Sequence, residues 1–131
     1  MGYHGAVVTA AASGRELRIL SRDSAFAELA LPVLGRGAYD RLRRLGHHDG
    51  SIADHSVAVA YASYRLARFL GLRATLPQLV RGALLHDYFL YDWRKEKPRS
   101  GGLHGFDHPR EALENAEAAF GPLSERERDC I

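Results

Sequence analysis

The chain is poor in cysteine and has no long apolar run. Its 131 residues include a single cysteine, Cys130, so an intrachain disulfide is impossible and a reducing compartment fits best. No apolar stretch approaches the roughly 20 residues of a membrane span, and the short apolar run near the N-terminus lacks the basic flank of a signal peptide. We therefore expect a cytoplasmic protein that has no membrane partner.

The chain also lacks an excess of either charge. Eighteen basic and sixteen acidic residues give a formal net charge of +2, which is too balanced to indicate nucleic-acid binding by itself. Hydrophobic residues make up 46% of the chain and charged residues 26%, proportions that are ordinary for a globular protein and exclude a wholly disordered one. A chain of this length is expected to form one domain around one core.

Helix signals recur only after the first part of the chain. Residues 1–22 show no clear helical period, and we interpret them as an N-terminal arm or as a hairpin around Ser13 and Gly14. Residues 23–131 are interpreted as a helical core, so an all-α fold is predicted. A short basic helix is predicted over residues 39–45, and long helices over residues 52–70, 75–90 and 109–120.

The first long helix has a well-marked beginning. Ser51 and Asp54 have the spacing of an N-cap residue and an acidic residue in the first turn. His55 opens an apolar stripe at helical spacing, which predicts that it lies on the buried face, and Gly71 is expected to end the helix in the left-handed conformation. The stripe continues through Val59, Ala62, Leu66 and Leu70.

The second long helix follows after a short turn. Thr75 is expected to cap it, and Pro77 suits its first turn. Gly82 is expected to let another helix approach closely. The broad apolar face of this helix is predicted to carry Leu79, Val80, Ala83, Leu84 and Asp87.

The C-terminal part shows two further helix starts. Pro109 is expected at the first helical position, directly after His108, and Ser124 with Glu127 has the spacing of a capping box. The chain then stops on the apolar pair at 130–131, soon after this second start. We therefore expect the last helix to be interrupted and the sequence to be a truncated form of a longer chain.

Seven histidines are a high count for a chain of 131 residues. Two helices joined by a short turn pack antiparallel, so His55 at the start of one should lie beside His86 and Asp87 at the end of the other. Two imidazoles and a carboxylate are good ligands for a divalent transition metal. The alternative is that His55 is an ordinary core histidine and that the adjacent His-Asp pair carries no chemistry.

The two motifs resemble a known family. They read ADHSVAVAYASYRLARFLGL and LVRGALLHDYFLYDW, and 31 positions separate the histidine of the first from the His-Asp pair of the second. This arrangement resembles the HD-domain metal-dependent phosphohydrolase superfamily, and the Tyr-Asp-Trp at 91–93 resembles its short bacterial members. The resemblance covers residues 45–131. It implies an HD-domain-like helical bundle that hydrolyses a phosphate ester or anhydride, with a nucleotide as the favoured small phosphorylated substrate.

The resemblance also implies roles for single residues. His55, His86 and Asp87 match the first three metal ligands, and His86 and Asp87 are the expected catalytic residues. LHGFDHPREALENA resembles the segment that supplies a further histidine in two-metal members, where His108 is the better match and His104 the second. The implied cofactor is one or two divalent ions (Mn, Fe, Zn, Co, Ni or Mg). With two ions, Asp87 would be the natural bridging ligand.

The sequence departs from the family pattern at two places. The last family ligand is an aspartate on a later helix, and Asp129 lies too early in the chain to match it. Leu90 stands where the branch that hydrolyses cyclic-di-GMP has a lysine, which disfavours that branch. The main alternative is therefore a non-catalytic regulatory module that has the HD fold and binds a metal or a nucleotide.

Basic residues follow the His-Asp pair and suit a phosphorylated substrate. The expected phosphate-binding residues are Arg94, Lys95, Lys97 and Arg99, unless this run is only a solvated loop. The expected pocket mouth comprises His47, His48 and Asp49. Nucleic-acid binding through residues 41–44 is disfavoured because no aromatic side chain interleaves with those arginines. The sequence is compatible with a homo-oligomer.

Overall fold

The computed structural model describes residues 12–47, 50–88 and 104–131, with side chains for all of these except 46, 47 and 104–109. Helices dominate this part of the chain, which confirms the all-α prediction. No helix within it is both long and apolar enough to cross a membrane. The helices are α1 (Gly14–Arg22), α2 (Ser24–Leu34), α3 (Asp40–Arg44), α4 (Ile52–Phe69), α5 (Leu76–Leu85), α6 (His104–Phe120) and α7 (Glu125–Asp129).

Short elements connect the helices. Two 3-10 turns, Gly37–Tyr39 and Arg73–Thr75, precede α3 and α5, so the short helix predicted over residues 39–45 is a 3-10 turn followed by α3. Strand β1 (Gly46–His47) pairs antiparallel with β2 (Gly50–Ser51), immediately before α4 begins.

Helices α4 and α5 form a hairpin that packs tightly together. At the end of α4 the N–H of Leu72 donates to the carbonyl of Ala67 at 2.9 Å, and that of Gly71 to Arg68 at 3.1 Å. These two bonds form a Schellman turn, which requires the left-handed conformation that Gly71 adopts with a φ of +77°. The prediction that Gly71 ends this helix is confirmed.

The buried face of α4 is not the predicted one. Leu66 and Leu70, which belong to the predicted stripe, are each 59% exposed. A second series at the same spacing is buried instead: Ile52, Ala53, Ser56, Val57, Ala60, Tyr64 and Ala67. The small residues of this series let neighbouring helices approach closely, an advantage that apolar periodicity alone does not reveal. His55 consequently lies at the edge of the core, half-buried.

Both ends of α5 differ from the prediction. Thr75 occupies the N-cap position, but its hydroxyl donates backwards to the carbonyl of Leu72 at 2.9 Å and caps nothing. Pro77 lies in the first turn as expected. The helix ends at Leu85 rather than near residue 90, because the backbone tightens into turns there: the N–H of Tyr88 donates to the carbonyl of Leu85 at 3.1 Å.

The N-terminal hairpin around Ser13 and Gly14 does not form. Ser13 instead caps α1 by accepting from the N–H of Glu16 at 3.0 Å. Glu16 is fully buried and forms an ion pair with Arg43 of α3, whose side chain is 6% exposed. This ion pair attaches α1 to the core, so residues 14–22 belong to the helical body, and residues 1–11 lie outside the described part.

The C-terminal helices show one corrected and one confirmed start. The backbone of α6 is helical from His104, so Pro109 lies inside the helix and not at its first position. The capping box of α7 is confirmed, because Ser124 accepts from the N–H of Glu127 at 3.1 Å and donates its own N–H to that carboxylate at 2.8 Å. A Cβ on Gly82 of α5 would lie 2.7 Å from the Cβ of Cys130, which confirms the predicted close approach at that glycine.

Candidate metal centre

The start of α4 is fixed from two sides. Ser51 accepts from the N–H of Asp54 at 3.0 Å, and its own N–H donates to the Asp54 carboxylate at 3.3 Å, which completes a capping box. The hydroxyl of Ser13, from the beginning of α1, donates to the other oxygen of Asp54. His55 is the next residue, so the backbone that carries its imidazole is held by both the cap and α1.

The other half of the cluster follows the last turn of α5. Asp87 is 6% exposed and is flanked by His86 and by the fully buried Tyr88. The phenol of Tyr88 donates to the carbonyl of Ala38 at 2.6 Å, and its ring packs edge-on against Phe120. Tyr88 therefore anchors the turn in which His86 and Asp87 lie.

The hairpin brings His55, His86 and Asp87 together. Nε2 of His86 lies 3.2 Å from Oδ2 of Asp87, and Nε2 of His55 lies 3.4 Å from the same oxygen. The two imidazole rings are 5.5 Å apart between centroids. One ligand atom from each of the three residues lies within 4.8 Å of the others. The antiparallel arrangement thus places these residues where the sequence argument expects them.

Hydrogen bonding determines which nitrogen of His86 faces the cluster. Nδ1 lies 2.6 Å from the carbonyl of Ala83, and a carbonyl oxygen only accepts, so Nδ1 carries a proton. In the neutral ring Nε2 therefore bears the lone pair, and it points at Asp87. A backbone carbonyl that orients a histidine in this way is the usual support for a metal ligand.

The same contacts affect the protonation of His86. Burial alone lowers the pKa of the imidazole, but the hydrogen bond to Asp87 and the negative charge of that carboxylate raise it. The carbonyl of Ala83 adds to the increase, so the pKa of His86 is raised overall. The lone pair that would bind a metal is thus also the one for which a proton competes.

Buried aromatic residues pack against the end of α5 and support the cluster from the core side. The phenol of Tyr39 donates to the carbonyl of Leu84 at 2.8 Å, one turn before Asp87, and its ring stacks with that of Tyr88 at 6.5 Å. Burial first, and then the charge of Glu16, raise the pKa of the Tyr39 hydroxyl, so this group stays neutral and acts as a donor. It fixes the end of α5.

Sequence reasoning missed the groups that support the cluster, namely Tyr39, Tyr88, Ser13 and the carbonyl of Ala83. Ser13 reaches Asp54 across 41 positions of the chain, and no local pattern indicates that contact. The contact with the Ala83 carbonyl could have been predicted, because a histidine near the end of a helix can donate to the carbonyl three residues before it.

Most of the predicted site residues have no described side chain. For the predicted metal ligands His104 and His108, only the helical backbone is described. For His47, only the backbone in β1 is described. Six further predicted residues lie outside the described part of the chain: Arg94, Lys95, Lys97, Arg99, His48 and Asp49. The structure therefore tests only the predicted positions of His55, His86 and Asp87.

Comparison of the chain with protein-family models, with curated proteins and with solved structures finds no match.

Proposed function

We propose that His55, His86 and Asp87 bind a divalent metal ion and that the protein is a metal-dependent phosphohydrolase of the HD-domain type. The observation that carries this proposal is the orientation of His86, whose Nδ1 is bound to the Ala83 carbonyl while Nε2 faces Oδ2 of Asp87. Two acceptors at 3.2 Å repel each other unless a proton or a cation lies between them. A divalent ion supplies that cation.

The donor set suits such an ion. Two imidazole nitrogens and one carboxylate are typical of Zn, Mn, Fe, Co and Ni sites, and ligand atoms within 4.8 Å of one another can reach a common centre after small side-chain rotations. Asp87 is nearly buried, whereas the side chain of His55 is 36% exposed. The cluster is therefore supported from the protein side and open from the solvent side, where a substrate would approach.

When bound, a divalent ion would supply a hydroxide nucleophile near neutral pH and would polarise a phosphoryl oxygen. Each residue has a distinct part in this proposal. His86 and His55 offer neutral nitrogen ligands, and Asp87 supplies the negative charge and a second oxygen for another ligand or a proton. Arg94, Lys95 and Lys97 are proposed to hold the phosphate oxygens of a nucleotide substrate.

A second ion is part of the same proposal. His108 is its first candidate ligand and His104 its second. The two residues are four positions apart on the helical backbone of α6, a spacing that places them on one face of a helix. Asp87 would then be shared between the two ions.

The test combines metal content with activity. Protein purified without chelator is analysed for bound metals and assayed against p-nitrophenyl phosphate and a panel of nucleotides, alongside Asp87→Asn and the matched surface control Asp129→Asn. We expect stoichiometric metal and phosphate release from the wild type and the control, and loss of both from Asp87→Asn. Metal binding without hydrolysis of any substrate would favour a regulatory module, and absence of metal from the wild type after incubation with each candidate ion would refute the metal site.

A further inference from the structure

Four large apolar side chains are exposed where α4 ends and the chain turns toward α5. Phe69 is 86% exposed, Leu66 and Leu70 are each 59% exposed, and Leu72 is 51% exposed. No other large hydrophobic side chain in the described ranges is comparably exposed. We call these four residues the tip surface. Contiguous exposed apolar groups of this kind mark interaction sites in folded proteins.

Three arginines border the tip surface. Arg65, Arg68 and Arg73 line an open cleft of about 300 Å³ together with Phe69 and Asp23. Residues 55–86 contain no aspartate or glutamate at all. Among the residues that the structure describes, Asp23 is the one carboxylate that lines the cleft. The cleft and the tip surface consequently combine exposed apolar area with net positive charge.

Two of these arginines are held in place by tyrosines. The guanidinium of Arg65 lies over the ring of Tyr61 at 5.8 Å, and that of Arg68 over the ring of Tyr64 at 5.6 Å. Arg68 also donates to the hydroxyl of Tyr64 at 3.2 Å. An arginine held on an aromatic ring loses less side-chain entropy when it binds a carboxylate, and its planar group can form two parallel bonds.

The carboxylate in the cleft offsets only one of the three arginine charges. Oδ1 of Asp23 caps α2 by accepting from the N–H of Phe26 at 3.0 Å, and Oδ2 accepts from the hydroxyl of Tyr61 at 3.4 Å. Asp23 therefore acts as a structural cap. Three arginines against one aspartate leave a net charge of +2 among the described residues of the cleft, which suits carboxylates of a partner.

We propose that the tip surface docks an acidic amphipathic helix of a partner protein. Leu66, Phe69 and Leu70 lie at i, i+3 and i+4, so they form one apolar stripe along the end of α4 that can receive the apolar face of another helix. Glutamates or aspartates beside that face would meet Arg65 and Arg68. The partner is thus defined by an apolar stripe flanked by carboxylates.

Other occupants fit this surface less well. A second copy of the chain in a two-fold symmetric dimer would bring the same arginines close to one another, and like charges disfavour that contact. An anionic lipid surface would attract the arginines, but it has no need of guanidinium groups held at fixed positions by tyrosines. Fixed positions favour discrete carboxylates on a helix.

This inference is independent of the proposed metal chemistry. Phe69 lies fourteen positions after His55 on one continuous helix, a distance of about 21 Å at the rise of an α-helix. We therefore expect substitutions at one site to leave the other unchanged. His55→Ala serves as a control in the docking experiment because it should not alter partner binding.

The experiment uses the full chain and a labelled synthetic helix as the probe. The peptide has about 18 residues, with leucine at i, i+3, i+4 and i+7 and glutamate at the flanking positions, and a second peptide has the same composition in scrambled order. Binding is followed by fluorescence anisotropy at low and high salt. We expect saturable, salt-sensitive binding of the first peptide only.

Matched variants then locate the binding site. Phe69→Ser and the double variant Arg65→Gln, Arg68→Gln should each weaken binding about tenfold or more, as is usual for central interface residues. Arg41→Gln with Arg44→Gln, on the exposed side of α3, should leave it unchanged. Circular dichroism confirms that each variant is folded, which is expected because these side chains are on the surface.

The proposal is overturned by any of four results. The acidic peptide does not bind; the scrambled peptide binds equally well; the tip variants bind like the wild type; or the protein binds vesicles rich in phosphatidylglycerol but not the peptide. Sedimentation of the wild type and Phe69→Ser adds a further check. A dimer that Phe69→Ser abolishes would identify the partner as a second copy and would also overturn the proposal.

Discussion

Nε2 of His86 lies 3.2 Å from Oδ2 of Asp87, although Nδ1 of the same ring already donates to a backbone carbonyl. The contact is attractive only when a proton or a metal ion lies between nitrogen and oxygen. Because Nε2 of His55 is 3.4 Å from the same oxygen, a single cation there would be shared by three side chains. Protons and metal ions therefore compete for this position.

Removing the charge of Asp87 should weaken metal binding strongly. In Asp87→Asn we expect the affinity for Mn or Zn to fall at least about tenfold, since loss of even a supporting partner of a ligand costs that much. Competition with a fluorescent chelator measures the affinity. Asp129→Asn removes the same charge from the surface of α7 and should bind metal like the wild type. Equal affinities of Asp87→Asn and the wild type would contradict the site.

Without metal, the stability contribution of His86 should depend on pH in a defined direction. Its pKa is raised in the folded protein above the ordinary value of 6.5. The contribution is thus fully present below that value and is lost as the pH rises through the higher folded pKa. We expect urea unfolding of the chelator-treated wild type and of His86→Gln to give a difference in free energy of unfolding. This difference should narrow from about pH 5.5 to about pH 8.5.

A constant gap between these two proteins across that range would show that His86 does not gain a proton from its contact with Asp87. Asp87→Asn provides the control. Asp87→Asn removes the charge that raises the pKa of His86. The difference in free energy of unfolding between Asp87→Asn and the double variant Asp87→Asn, His86→Gln should therefore stay nearly constant with pH.

The meeting of His55 with His86 and Asp87 could be inferred from sequence because the signals involved are local. Ser51 and Asp54 determine where α4 begins, and Gly71 determines where the chain turns back. Once the start of α4 and the turn at Gly71 are known, the positions of the helix ends in the hairpin are nearly determined. The metal itself is not visible in such an argument, and it stays a prediction.

Other features could not be inferred because they depend on contacts between distant segments. Glu16 has the sequence context of a solvated helical residue, and only the folded chain reveals that it is buried against Arg43, 27 positions away. The apolar residues of α4 form two stripes at the same spacing, and periodicity cannot tell which of them faces α5. Leu66 and Leu70 of the predicted stripe belong instead to the exposed tip surface.

Breaking the buried ion pair of α1 should destabilise the whole fold. In Glu16→Ala the guanidinium of Arg43 keeps Asp40 but loses its fully buried partner, and we expect a cost of roughly 3 kcal/mol. Urea unfolding measures it. The double variant Glu16→Met, Arg43→Met replaces both charges with apolar groups and should recover most of that loss. A double variant less stable than Glu16→Ala would show that the charges themselves stabilise this contact.

The close approach of α7 to α5 predicts that Gly82 tolerates no side chain. In Gly82→Ala the new Cβ would lie 2.7 Å from the Cβ of Cys130 and 3.0 Å from the carbonyl oxygen of Glu127, so α7 must move. We expect a loss of about 1–3 kcal/mol, as for other overpacked sites. Thermal unfolding measures it, and Gly37→Ala is the matched control because nothing lies within 4 Å of its added Cβ. Adding Cys130→Gly to Gly82→Ala should restore part of the loss, since it removes the close Cβ and Sγ of Cys130 and leaves the contact with the Glu127 carbonyl. If Gly82→Ala is as stable as Gly37→Ala, α7 does not pack on α5 at this glycine.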